Sequence, residues 1–158
     1  MATKDSEPAA IVAIRDHFAQ IERELPTYRL DSTDLMDRSA EGGVLSAYRA
    51  GDALRKLKAK YYGETGRATD NFYYWRDSLV FVYRLDERYD RTLSGKVIAR
   101  QENRYYFDGS HLVRWLGPDG RAVQLSSPEA HEAETQYLKD DRELRLLLRA
   151  ARDASERK

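Results

Sequence analysis

The chain has 158 residues, a length that suits one domain able to bury a real core. Its 27 basic and 27 acidic residues cancel, so no whole-molecule field draws it to nucleic acid or to anionic lipid. Cysteine is absent, which excludes disulfide frameworks, thiolate metal sites and cysteine nucleophiles.

Residues 1–7 read as a polar lead-in. Beyond Pro8, apolar residues fall at Ile11, Ile14, Phe18, Ile21 and Leu25, intervals of three and four that make one helical stripe. Ser6 and Pro8 are start signals and Pro26 is a stop, which predicts a helix over 8–24. From residue 28 to 124 the signal changes to β-prone runs punctuated by turns such as Ala50-Gly51-Asp52, Arg76-Asp77-Ser78 and Asp108-Gly109-Ser110. The predicted strands are 28–35, 44–49, 53–62, 69–76, 79–88, 96–107 and 111–116, with 121–124 as an optional eighth. The run 53–62 also fits a helix through Leu54, Leu57 and Tyr61, but its neighbours are strands, and strand is the reading adopted. Ser127-Pro128-Glu129 opens a second helix, predicted over 128–155, with Tyr137, Leu144, Leu148 and Ala151 on one stripe. The expected fold is α+β: N-terminal helix, antiparallel meander of six to eight strands, and C-terminal helix, the helices covering one face of the sheet.

Three segments share a grammar of aromatic, polar turn and leucine: Tyr48 to Leu54, Tyr74 to Leu79, and Tyr106 to Leu112. A hairpin explains it, because an aromatic entering a turn and an aliphatic leaving it can meet across the strands. The stretch 71–83 holds six aromatic rings. Alternation places Asn71, Tyr73 and Trp75 on one face and Phe72 and Tyr74 on the other, with Leu79, Phe81, Tyr83 and Leu85 together on the returning strand. Apolar residues on both faces mark a central strand or one covered on both sides. Most of these rings are expected to be core, and tyrosine at a sheet margin also suits a ligand platform.

Catalytic motifs are missing. His17, His111 and His131 stand singly, and there is no HExxH, no G-x-S-x-G elbow, no G-x-G-x-x-G and no Walker loop. No metal and no cofactor is expected. Gly63-Glu-Thr-Gly66 reads as a tight turn whose glycines supply positive φ, the alternative being a display of Glu64 as a ligand or base. Lys56, Lys58 and Lys60 form one positive stripe, read as a solvated or edge face. The polar run 86–91 is either a mobile loop reaching into Thr92–Gly95 or a longer connection.

Taken in order, Gly42-Gly-Val-Leu-Ser-Ala-Tyr48, Tyr61-Tyr-Gly-Glu-Thr-Gly66, Phe72-Tyr-Tyr-Trp75, Leu79-Val-Phe-Val-Tyr83, Glu102-Asn-Arg-Tyr-Tyr-Phe-Asp-Gly109 and Leu112-Val-Arg-Trp115 resemble a family of small bacterial α+β proteins of unknown function. Members are often exported or lipid-anchored, and the likeness covers most of residues 10–140. It implies a periplasmic or cell-envelope location, the alternative being cytoplasmic, and it carries over no catalytic residue.

The function expected from these readings is a non-enzymatic binding or accessory protein of the bacterial cell envelope. Its partner would be a small ligand or another envelope protein, with no nucleic acid and no transmembrane segment. The candidate surface is Tyr61, Tyr62, Tyr73, Trp75, Tyr83, Tyr105 and Trp115. Two alternatives stand beside it. One is a small hydrolase or isomerase using Glu64, Glu102 and His111, and the other is an immunity or antitoxin-type inhibitor.

Overall fold

The computed structural model describes residues 7–36 and 38–157, so the Ser6 start signal and most of the lead-in lie outside the described residues. Helix α1 (Ala9–Glu24) passes through a short 3-10 turn containing Pro26 into strand β1 (Arg29–Asp34). There follow β2 (Gly43–Ala50), β3 (Ala53–Tyr62), β4 (Gly66–Trp75), β5 (Ser78–Tyr89), β6 (Val97–Asp108), β7 (His111–Leu116) and helix α2 (Pro128–Glu156). The strands form one sheet in chain order, every neighbouring pair antiparallel. The architecture is therefore the expected α+β meander between two helices. The optional eighth strand reduces to a single bridge between Leu116 and Ala122. The run 86–89 continues β5 and leaves a shorter connection than the sequence suggests.

The helices lie on opposite faces, not on one. The buried residues of α1, Ile11, Ile14 and Ile21, pack on Tyr73, Phe81 and Tyr106. Those of α2, including Tyr137, Leu144 and Leu148, pack on Phe72, Tyr74, Val82 and Phe107 from the alternate positions of the same strands. Strands β4 and β5, the fourth and fifth of seven, are covered on both sides, which accounts for the two-sided apolarity of 71–83. Ser127 caps α2 by accepting the Ala130 N–H at 3.2 Å, with Pro128 in the first turn.

Hairpins β2–β3, β4–β5 and β6–β7 each break register two residue pairs from the turn, inserting Arg55, Val80 and Val113 respectively in the returning strand. The three bulges line up across the sheet beside one row of side chains: Tyr48, Lys56, Tyr73, Phe81, Tyr106 and Arg114. They explain the repeated grammar, with one correction. The repeat is Tyr-x5-Leu, carried by Tyr48–Leu54, Tyr73–Leu79 and Tyr106–Leu112, so its second copy begins at Tyr73 and not at Tyr74. Nor do the two ends meet: each tyrosine belongs to the α1 side and each leucine to the α2 side. Because a bulge adds a residue, it flips the alternation beyond it and bends the strand. That is why Leu79 packs with Val82 on the α2 side, away from Phe81 and Tyr83.

The β4–β5 turn places Arg76 (φ 51°) and Asp77 (φ 62°) in the left-handed region, which two-residue hairpins require and which suits Asn-Gly. Replacing the pair by Asn-Gly is expected to raise stability by about 1 kcal/mol, read from urea unfolding. An unchanged midpoint would mean that the turn relaxes without strain.

Candidate functional site

Helix α1 crosses the strands along one row, Glu7 just ahead of it reaching Arg114 on β7, Phe18 meeting Phe81 and Tyr73, and Glu22 reaching Lys56 on β3, so it covers only the part of its face beside the bulges. Where its cover stops, a cleft of about 810 Å³ opens between helix and sheet. The floor is Tyr73, Phe81, Tyr83 and Tyr106, and Ile14 and Phe18 form the helical wall. Phe18 meets Tyr73 and Phe81 edge-on, with ring centroids 5.0 and 5.2 Å apart. Polar groups mark the rim: Arg15, Asp16 and Glu22 from α1, and Lys56, Asn71 and Arg104 from the sheet.

Two of these groups are locked. Lys56 donates to Glu22 Oε1 at 2.8 Å, and the Tyr73 hydroxyl donates to the same oxygen. Burial opposes the Glu22 charge, but Lys56 and Tyr73 together hold its carboxyl below the usual range. Burial drives the Lys56 ammonium down, against the pull of Glu22. Lys56 is 7% exposed whereas Lys58 and Lys60 are half-buried, so the predicted lysine stripe shares a face but is not solvated at Lys56. Its strand is interior to the sheet, which also removes the edge-guard reading.

Arg104 is differently placed. Its guanidinium lies 5.1 Å from the centre of the Tyr83 ring, a cation–π distance. It donates to Glu102 at 3.0 Å in a pair that is 38% and 44% exposed, and such pairs contribute little. Burial pushes the Tyr83 hydroxyl up to about 12, with Glu102 adding to the effect, so it stays protonated as a donor. The arrangement therefore offers an aromatic floor ending in a cation that can exchange partners.

The seven aromatic candidates do not form one surface. Tyr73 and Tyr83 line this cleft, and Trp75 sits beside it under α1, stacked on His17 with ring centroids 4.0 Å apart. Tyr61, Tyr105 and Trp115 belong to the α2 face. Tyr62 joins Tyr61 and Arg67 around a separate recess at the far end of the sheet. The physical reason is alternation: neighbours in a strand point to opposite sides, and register decides which rings then meet.

On the α2 face the structure brings together a group that the sequence reading missed. Asp70, 2% exposed, accepts from Arg84 Nη1 at 2.9 Å and from the Tyr137 hydroxyl at 3.1 Å. Burial pushes its carboxyl up to about 6, Arg84 and Tyr137 pulling the other way. The available signal was its alternation with Phe72 and Tyr74, which places a carboxylate on an apolar face. Nearby, Tyr74 donates to Asp141 at 2.5 Å, and the Trp115 indole donates to Asn103 at 3.0 Å.

The enzymatic candidates stay apart. Glu64 lies in the β3–β4 turn and His111 at the β6–β7 turn, which are opposite ends of the sheet. Glu102, mid-strand, is six residues from Asp108, the partner of His111, or about 20 Å along β6. Neither Gly63 nor Gly66 adopts positive φ, so the turn reading for 63–66 fails in its reason. Gly66 is needed for space instead. Among the described residues no group of three or more His, Asp or Glu side chains is arranged to hold a metal ion, and no helix is long and apolar enough to cross a membrane. Comparison with family models, curated proteins and solved structures finds no match.

Proposed function

We propose that the chain is a non-enzymatic binding protein whose ligand lies in the α1 cleft. The observation that carries this is the pairing of an aromatic floor with an exchangeable cation, Arg104 over Tyr83, inside a concavity of about 810 Å³. Organic ligands bury flat apolar bodies in such clefts and are oriented by a few polar groups. The matching chemistry is a compact aromatic acid. Its ring would lie against Tyr83, the floor ring that is not buried, and its carboxylate would replace Glu102 on Arg104. Lys56 would add positive potential without moving, since Glu22 and Tyr73 hold it. A place in the bacterial cell envelope enters this proposal from the resemblance of residues 10–140 alone.

Intrinsic fluorescence of Trp75, in a Trp115→Phe background, tests it with indole-3-acetate, 1-naphthoate and the corresponding neutral amides. The acids are expected to bind in the micromolar to millimolar range and the amides at least roughly tenfold more weakly, the worth of one charge-assisted contact. Arg104→Gln is expected to abolish the difference between acid and amide. Equal binding of acids and amides, or an unaffected Arg104→Gln variant, would discard the cleft as an acid site.

A further inference from the structure

On the opposite side of the sheet, the C-terminal half of α2 carries Arg145, Arg149 and Arg152, spaced four and three residues apart and so gathered on one side of the helix. They face the tips of hairpins β2–β3 and β4–β5 across a cavity of about 230 Å³, completed by Arg49, Asp52, Leu54, Asp77 and Leu148. Four guanidinium groups thus meet two carboxylates. Arg145 is committed, donating to Asp141 at 3.0 Å and to the Asp77 carbonyl at 3.1 Å while stacked 4.3 Å over Tyr74. Among the described residues Arg152 pairs only with Glu156, at 3.4 Å in an exposed pair.

Arg49 is the telling residue. Its side chain is only 18% exposed, and its Nε is buried with no hydrogen-bond partner among the described residues. The carboxylate nearest to pairing, Asp31, stands 3.9 Å from that nitrogen, beyond hydrogen-bond reach. A buried N–H without an acceptor is unfavourable, and a guanidinium does not give up the proton to relieve it. Arg149 also lines the cavity and pairs with no carboxylate within 4.0 Å among the described residues.

We infer that this cavity is an oxyanion site that takes phosphate, free or as a phosphoryl group. Asp141 and Glu156 neutralise Arg145 and Arg152, which leaves Arg49 and Arg149 as the guanidinium groups open to an anion, and a planar guanidinium fork offers paired N–H groups suited to phosphate oxygens. The volume of about 230 Å³ admits a phosphoryl group. The site is separate from the α1 cleft, and its success or failure is independent of the ligand proposed there.

Thermal melts in inorganic phosphate, compared with chloride at matched ionic strength, test the inference on the full chain. At about ten times the dissociation constant, phosphate is expected to raise the midpoint by about 3 °C over chloride. Arg49→Gln and Arg149→Gln are expected to lose that increment, and the exposed Arg149 variant keeps the test open if the Arg49 variant folds poorly. Arg49→Met is expected to match or exceed the wild type in phosphate-free buffer, since it removes the unsatisfied donor. Repeating the titration with glycerol 3-phosphate names the source: the tighter of the two anions is the preferred form. A midpoint that responds equally to phosphate and chloride, or a phosphate increment that survives in both glutamine variants, would overturn the inference.

Discussion

Replacing Arg84 by methionine is expected to destabilise the protein by about 3 kcal/mol at about pH 7.5 and by far less at about pH 5. Methionine keeps the apolar stem and removes the guanidinium, which leaves the Asp70 carboxylate buried with Tyr137 alone as partner. Loss of the second Arg84 contact, to Asp86, matters little because that carboxylate is 43% exposed. The pH dependence follows from the direction of the shift. Already in the wild type, burial raises the Asp70 carboxyl from 3.8 to about 6, so the folded state binds a proton more tightly than the unfolded state. Stability from this group is therefore fully present at low pH and is lost as pH rises through about 6. Removing Arg84 raises the folded value further and deepens the loss at neutral pH.

The same linkage is measurable without disturbing Arg84. The stability of the wild type minus that of Asp70→Asn is expected to fall by about 3 kcal/mol between about pH 4 and pH 7. Taking the difference cancels Glu7, Glu22, Glu87 and Glu102, whose carboxyls are all held low and whose contributions run in the opposite sense. Urea unfolding at several pH values gives the curve directly. A flat difference would mean that Asp70 does not titrate as a buried acid, and the Arg84→Met expectation would fall with it. Asp70→Asn combined with Arg84→Met should recover most of the lost stability, because it removes the stranded charge.

The second large effect is expected at Gly66, where alanine should cost about 3 kcal/mol or more. A Cβ there would sit 2.1 Å from the Glu87 carbonyl oxygen and 3.2 Å from the Arg88 Cα, both backbone atoms of the adjacent strand. No rotamer change relieves such a clash, so β4 and β5 must part at the point where Arg67 and Glu87 pair. Gly51 supplies the control. Its φ is +60° but a Cβ would meet nothing within 4 Å, and alanine there should cost only about 1 kcal/mol. Unfolding midpoints that rank Gly51→Ala below Gly66→Ala in stability would refute the close approach between these strands.

Much of this architecture is legible locally. Runs of alternating residues between Gly-Asp, Arg-Asp and Gly-Ser turns mark the hairpins, and the stripe of Ile11, Ile14, Phe18 and Ile21 marks α1. The Lys-rich run 53–62 is the instructive case. Composition favours a helix, but flanking strands supply hydrogen-bond partners on both sides and the chain takes β structure. What escapes local reading is side-chain direction beyond a bulge. Nothing in the immediate neighbourhood of Val80 announces the extra residue that sends Leu79 to the other face, although the thrice-repeated Tyr-x5-Leu, aligned from Tyr73, is its trace in the sequence.

The order and kind of elements, the all-antiparallel chain-order pairing and the position of the α2 cap were set by the amino-acid sequence through short-range forces: period, turn chemistry and a capping hydroxyl. Tertiary structure alone decided which rings share a face, that the two helices take opposite sides, and that Glu22 meets Lys56 across 34 positions and Tyr137 meets Asp70 across 67. The reason is physical. Partners for a buried charge or a flat ring are chosen by register and by how far each helix reaches over the sheet, and both are properties of the packed chain as a whole.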